Sequence, residues 1–130
     1  MIMDTCFVID LMNNDTKAVK KIENLTKGGE PLFLTAVTIF ELFSGVVRSN
    51  KPEKEKAKII EVLNGQLILG LDDKSAEKAG DVDGKLIKEG KPIKPLDCMI
   101  AGIALNRKDK ILTRDLKDFS RVPELKIENY

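Results

Sequence analysis

Four acidic residues of this 130-residue chain have positions suited to shared chemistry. Asp4 and Asp115 come at or just after the ends of two predicted strands, and Glu41 and Asp97 lie in the first turns of two predicted helices. Carboxylates about 4 Å apart repel by about 4 kcal/mol per pair at an effective dielectric constant of about 20. A hard divalent cation such as Mg²⁺ or Mn²⁺ removes that repulsion, so the four acids predict a metal site.

Such an ion lowers the pKa of a bound water and stabilises a phosphoryl transition state. The chain has no histidine, which excludes Ser-His-Asp and Cys-His catalysis and histidine zinc ligands. Its two cysteines, Cys6 and Cys98, are too few for a zinc site of four thiolates or a disulfide framework, and they indicate reduced thiols. Metal-dependent phosphodiester hydrolysis is compatible with this composition, because it needs no histidine.

The elements that position these acids follow from alternating short apolar runs and longer helical patterns. Strands are predicted at 2–4, 32–35, 66–71, 111–113 and 125–127. Helices between them predict an α/β fold with a mostly parallel sheet and helices on both faces. The length predicts one domain, 1–130. Ligands of such sheets bind at the carboxyl ends of the strands, which is where all four acids are expected to converge.

Helical periodicity and local motifs predict different roles for the four acids. Asp97 precedes an apolar stripe that includes Ile100 and Ala104, so it is expected to face the core and to need a partner. Glu41 lies opposite the apolar side of its helix, and its spacing from Thr38 is that of a capping box, which predicts a helix start at Thr38 and a structural role for Glu41. For Asp4 and Asp115, a turn or cap role and a functional role both stay open on pattern alone.

The overall charge, 22 basic against 21 acidic residues, is only +1, so any surface that attracts nucleic acid must be local. Arg114 and Lys117 flank Asp115 and are candidates for binding the phosphates of a nucleic acid, with a solvated turn as the alternative. The N-terminal run lacks a basic leader, and no window approaches the roughly 20 apolar residues of a membrane span. We therefore expect a cytoplasmic protein.

Four motifs stand in order along the chain: Met3-Asp4-Thr5-Cys6-Phe7-Val8-Ile9, Thr35 to Gly45 with Glu41-Leu42, Pro95-Leu96-Asp97-Cys98-Met99-Ile100-Ala101, and Ile111 to Phe119 with Thr113-Arg114-Asp115. Together they resemble the PIN domain and, within that group, the VapC-like toxin ribonucleases of type II toxin–antitoxin pairs. The resemblance spans nearly the whole chain. Cys6 stands where the family commonly has serine.

The resemblance implies a three-layer PIN-like fold and a Mg²⁺-dependent (or Mn²⁺-dependent) endoribonuclease. It implies that Asp4, Glu41, Asp97 and Asp115 form the catalytic acidic pocket, with Asp4, Asp97 and Asp115 as metal ligands. Thr5, Thr113 and Asp118 are auxiliary candidates. It also implies an RNA substrate, a homodimer, and an antitoxin protein that covers the groove and the active site.

Sequence spacing distinguishes Asp118 from Asp115. Asp118 is expected to bind a backbone N–H or Arg121 rather than the ion, so its asparagine variant is expected to keep activity. Two other functions stay open. A phospho-receiver domain shares the doubly wound sheet but needs an acidic pair after its first strand, which Asp4-Thr5 does not provide. A non-catalytic PIN interaction module is the other, and the presence of all four acids argues against it.

Overall fold

A computed structural model describes all 130 residues, Met1–Tyr130. Short strands alternate with helices, as predicted. The elements in chain order are β1 (Ile2–Met3), α1 (Thr5–Met12), α2 (Thr16–Lys27), β2 (Phe33–Thr35), α3 (Ala36–Arg48), α4 (Pro52–Leu63), β3 (Leu67–Leu69), α5 (Asp73–Lys88), α6 (Pro95–Arg107), β4 (Lys110–Leu112), α7 (Leu116–Phe119) and β5 (Lys126–Glu128).

The five strands form one sheet in the order β3-β2-β1-β4-β5. Every neighbouring pair is parallel, which confirms and strengthens the prediction of a mostly parallel sheet. All strands therefore end at the same edge, and β1 and β4 lie side by side at the centre. Strand β3 lies at one side of the sheet, where Leu67 and Ile68 are exposed.

Two hydrophobic cores lie on the two faces of the sheet. Because successive residues of a strand point to opposite faces, Ile2 and Ile111 belong to one core, while Met3 and Leu112 belong to the other. The first core is completed mainly by α5 and α6. The second is completed by α1, α3 and α4, with Ala18 of α2. The predicted three layers, with helices on both faces, are confirmed.

Local signals fix most helix ends. Asp15 and Asp72 cap α2 and α5 through their side chains, and a proline opens α6, where its fixed φ suits the first helical position. The predicted start of α3 is wrong by three residues. Thr35, at the end of β2, is the N-cap, and its hydroxyl accepts the Thr38 N–H at 3.0 Å.

None of the seven helices has the length and apolarity needed to cross a bilayer. Every fully buried side-chain nitrogen or oxygen atom has a hydrogen-bond partner. Buried polar groups in this chain are therefore paired groups, and those near the strand ends form the network described below.

Candidate active site

The acids predicted to act together are carried by elements that meet at the carboxyl edge of the sheet. Asp4 follows β1 as the N-cap of α1, and Asp115 follows β4 as the N-cap of α7. Glu41 lies in α3, the helix that leaves β2, and Asp97 lies in the first turn of α6. The adjacency of β1 and β4 brings Asp4 and Asp115 to neighbouring strand ends although they are far apart in sequence.

Asp4 is buried and held by three donors. Its Oδ1 accepts the Thr5 N–H at 2.8 Å. Its Oδ2 accepts the Thr113 hydroxyl at 2.8 Å and the Cys6 thiol at 3.1 Å. Burial, followed by the charge of Asp4, raises the pKa of the Cys6 thiol. The thiol therefore remains protonated and acts as a donor, at the position where the resembled family commonly has a serine hydroxyl.

Glu41 is positioned by a chain of threonine hydroxyls. Thr5 Oγ1 donates to Glu41 Oε1 at 2.8 Å and lies 3.2 Å from Thr38 Oγ1, which also lies 3.2 Å from Thr35 Oγ1. The capping-box role predicted for Thr38 and Glu41 is wrong, because Thr35 caps the helix and Thr38 is buried within its first turns. Burial, opposed by the Thr5 hydrogen bond and reinforced by Asp4, raises the pKa of Glu41.

Three carboxylates form the closest acidic cluster. One ligand atom each from Asp97, Asp115 and Asp118 lies within 4.8 Å of the other two. The predicted contact of Asp118 with Arg121 is wrong, since Arg121 instead donates to the Pro92 carbonyl at 3.1 Å. The predicted backbone N–H to the Asp118 carboxylate is also not found, and instead the Asp118 N–H donates to Asp115 Oδ1, at 3.2 Å. This turn of α7 therefore brings the Asp118 carboxylate towards the acids instead of away from them.

The clustered charges act most strongly on Asp97. Burial, together with the charges of Asp4, Glu41 and Asp115, raises the pKa of Asp97 to about 7, and Lys94 opposes the rise. Asp4 and Glu41 thus act electrostatically on the same point as Asp115. The carboxylates of this pocket outnumber the cation, Lys94, that acts on Asp97. The atoms that could bind a metal are all carboxylate oxygens, which are hard ligands. A divalent cation of the Mg²⁺ class fits such a donor set.

The two predicted RNA-binding residues differ in their surroundings. Lys117 is exposed on α7 and forms no ion pair. Arg114 is 59% exposed, yet its Nε lies 3.4 Å from Asp10 Oδ2. The same carboxylate oxygen accepts the Tyr130 hydroxyl at 2.7 Å. Sequence reasoning missed Asp10 and Tyr130, because only the order β1-β4-β5 brings them together and no local motif indicates it.

A groove of about 620 Å³ reaches the site from one side. It is lined by residues of α1, α3 and α4, and Thr5 and Glu41 lie where it meets the acids. Phe40, on its wall, is 61% exposed, whereas Phe43 is partly buried against the second core. The groove is therefore an open surface with apolar and charged walls that leads to the acidic site.

The fold is that of a known nuclease class. The chain matches the PIN domain family model over residues 1–125. It is 31% identical over 128 residues to the tRNA(fMet)-specific endonuclease VapC of Shigella flexneri, covering 98% of this chain and 96% of that protein. The chain belongs to the PIN domain family.

Comparison with solved structures also supports membership of this family. The chain superposes on VapBC2 from Rickettsia felis, solved bound to a DNA fragment from its promoter, with a TM-score of 0.90 and 25% identity over 99% of this chain and 97% of that one. For DNA-bound VapBC from Salmonella typhimurium the TM-score is 0.87 and the identity 27%, over 98% and 96%. The resemblance to VapC-like ribonucleases is confirmed, and the phospho-receiver alternative is not supported.

Proposed function

We propose that the chain is the toxin of a toxin–antitoxin pair and that it hydrolyses RNA phosphodiesters with a water activated at its acidic site. The observation that carries this is the approach of Asp97, Asp115 and Asp118 to within 4.8 Å. These carboxylates would hold a divalent cation, for which Mg²⁺ is our first choice and Mn²⁺ the second. Such an ion would lower the pKa of its bound water and offset negative charge at the phosphate.

The remaining residues position the acids. Thr113 and Thr5 N–H hold the two oxygens of Asp4, so that its carboxylate keeps one orientation next to the cluster. Thr5 holds Glu41 by Oε1 and leaves Oε2 without a hydrogen bond from the protein. Oε2 of Glu41 is therefore available to orient the attacking water, and its raised pKa suits it to accept a proton.

RNA is the substrate class that this proposal names. The relative from Shigella flexneri bears a name that gives tRNA(fMet) as its substrate. A tRNA is accordingly the first RNA to assay with this chain, beside an unstructured RNA of equal length. Lys117 and Arg114, next to the acids, are proposed to bind its phosphates. We expect the protein in the cytoplasm, where such a substrate is found.

An antitoxin protein is the proposed partner, as in the VapBC complexes to which the fold is similar. The groove beside Thr5 and Glu41 suits a segment of that partner, because an occupant of the groove would also cover the acids. A homodimer stays a prediction of the resemblance and of exposed Phe40. Light scattering of the isolated chain that shows a monomer at micromolar concentration would contradict it.

The proposed activity is tested by cleavage of a labelled tRNA with the purified chain. We expect cleavage in Mg²⁺ and none in EDTA. Asp97→Asn and Asp115→Asn should each lose most activity, since each removes a charge from the cluster while preserving shape. Glu77→Gln, an equal change of charge at an exposed site on α5, is the matched control and should cleave normally. Cleavage that persists in EDTA or in both asparagine variants would overturn the proposal.

A further inference from the structure

A polar cluster outside the acids joins three parts of the chain. Tyr130 lies beyond β5, and its hydroxyl donates to Asp10 Oδ2 of α1 at 2.7 Å. Its ring meets the ring of Phe7 edge-on, with centroids 4.7 Å apart. Burial and the hydrogen bond to Asp10 raise the pKa of Tyr130, so the phenol stays protonated and remains a donor. Asp10 is thus fixed from one side by a partly buried tyrosine.

Arg114 lies near the same oxygen, with Nε at 3.4 Å. The Asp10 side chain is only 14% exposed, whereas that of Arg114 is 59% exposed. The guanidinium therefore faces Asp10 with Nε, and its two NH₂ groups form no ion pair with another carboxylate. An arginine has further donors in a planar fork that matches phosphate oxygens, so these groups are available to a ligand.

The alternative position for this guanidinium is among the carboxylates. Arg114 directly precedes Asp115 in sequence, and the acidic cluster would attract it. Arg114 is instead paired with Asp10 through Nε, and it forms no ion pair with a carboxylate of the cluster. The guanidinium therefore lies beside Asp10 and not among the carboxylates of the cluster.

We infer that Asp10 and Tyr130 are positioning residues that hold Arg114 at the rim of the acidic site as a phosphate-binding group for RNA. This inference rests on the proposed function, since it names how the substrate of that site is bound. Asp10 fixes the guanidinium, and Tyr130 fixes the Asp10 carboxylate. The arrangement presents a cation to RNA without letting it neutralise the acids.

The Tyr130 hydroxyl lies near Cys6 as well as Asp10, so the test must distinguish an effect through Cys6 from an effect through Asp10. Its hydroxyl lies 3.8 Å from Cys6 Sγ, and Cys6 donates to Asp4. A change at Tyr130 that acted through Cys6 on Asp4 would persist when Arg114 is removed. The two routes differ in whether the effect of a Tyr130 variant depends on the presence of Arg114.

The experiment measures binding of a labelled tRNA by fluorescence anisotropy in EDTA, and its cleavage in Mg²⁺. Tyr130→Phe keeps the ring against Phe7 and removes only the hydroxyl. We expect its Kd to rise about three- to tenfold, the effect of one lost hydrogen bond. Arg114→Ala should weaken binding about tenfold and reduce the salt dependence by about one phosphate contact. Tyr130→Phe added to Arg114→Ala should have no further effect.

Glu128→Gln is the control. Glu128 lies on β5, the strand that precedes Tyr130, and the substitution breaks its 2.9 Å ion pair with Lys21 without affecting the contacts of Asp10. Its Kd should equal that of the wild type. Asp10→Asn should behave as Tyr130→Phe does, which protects the test against misfolding of one variant. Unchanged binding by both, or an undiminished Tyr130→Phe effect in the Arg114→Ala background, overturns the inference.

Failure of the proposed function gives a different result. A wild-type chain that binds tRNA but does not cleave it in Mg²⁺ overturns the nuclease proposal, while the binding comparison still decides the role of Asp10 and Tyr130. A wild-type chain that does not bind RNA overturns the inference itself.

Discussion

Thr113 donates a hydrogen bond to Asp4 Oδ2 at 2.8 Å across 109 positions of sequence. The same hydroxyl accepts the Asp115 N–H at 2.9 Å. One fully buried side chain thereby couples the acid that follows β1 to the acid that follows β4. The spacing of the two acids is set by this contact as well as by the pairing of their strands.

Thr113→Val is expected to impair the site through this coupling. Valine has the same shape but neither donates to Asp4 nor accepts from Asp115, which leaves buried polar groups without partners. We expect a loss of about 1–3 kcal/mol in the free energy of unfolding. Activity should fall about 10- to 100-fold, as is usual when a residue that orients metal ligands is removed. Urea unfolding and tRNA cleavage measure the two effects.

Thr113→Ser supplies the control, because it keeps the hydroxyl and removes only a methyl group. It should retain most activity. A serine variant as inactive as the valine variant would show that the methyl packing, and not the hydrogen bonds, is what the site needs.

Asp118→Asn is expected to weaken Mg²⁺ binding about tenfold or more, and to lower activity with it, since one of three close carboxylates loses its charge. This differs from the expectation drawn from sequence spacing, in which Asp118 had a structural role. Isothermal titration with Mg²⁺ measures the affinity directly. If Asp118→Asn binds Mg²⁺ as tightly as Glu77→Gln does, the structural role is restored.

The pKa of Asp97 predicts how the metal-free protein responds to pH. The ordinary value is 3.8 and the folded value is about 7, so between them the folded chain binds more protons than the unfolded chain. The contribution of Asp97 to the free energy of unfolding therefore falls as pH rises through this window, and the loss is complete above about pH 7. Mg²⁺ bound to the folded state should offset the loss.

Thermal melts in EDTA at about pH 5 and about pH 8 test this, with Asp97→Asn as the reference for all other titrating groups. The Tm of the wild type should fall further from the lower to the higher pH than the Tm of Asp97→Asn. Saturating Mg²⁺ should reduce the difference. Parallel pH profiles of the two proteins in EDTA would mean that Asp97 is not the titrating group.

Local patterns were sufficient for most of the fold. The bounds of α6 follow from Pro95 and from the apolar stripe after Asp97, and the parallel sheet follows from the alternation of strands and helices. The predicted start of α3 is wrong because Thr35 and Thr38 are both threonines, a residue type that favours the N-cap, and only Thr35 has that role. Thr35 is the N-cap because strand β2 ends there, and the end of β2 depends on the pairing of strands in the folded sheet.

Local sequence patterns do not predict several contacts of the site. Asp118 was expected away from the ion because the distance from α7 to α6 cannot be read from spacing within α7. The joint contact of Tyr130 and Arg114 with Asp10 depends on strand order and has no sequence signal. In contrast, the participation of Glu41 was indicated only by its family motif, since its helical pattern suggested a cap.

Gly102→Ala tests the helix contact that carries Asp97. Gly102 is buried in α6, and a Cβ added there would lie 2.5 Å from the Ser75 carbonyl oxygen and 2.7 Å from Ala79 Cβ of α5. The backbone oxygen cannot move without shifting α5, so the two helices must separate. We expect a loss of about 1–3 kcal/mol in the free energy of unfolding. Weaker Mg²⁺ binding should accompany it, because Asp97 moves with α6.

Gly84→Ala is the matched control for the same substitution. Gly84 lies within α5, and an added Cβ would meet no atom within 4 Å. Alanine is the better helix former by about 1 kcal/mol, so this variant should be more stable than the wild type, with unchanged Mg²⁺ affinity. Opposite signs for the two substitutions in urea unfolding would establish that close approach of α5 and α6, and not helix propensity, requires the glycine at 102. A Gly102→Ala variant as stable as Gly84→Ala would mean that the helices separate without cost and that this contact does not fix the position of Asp97.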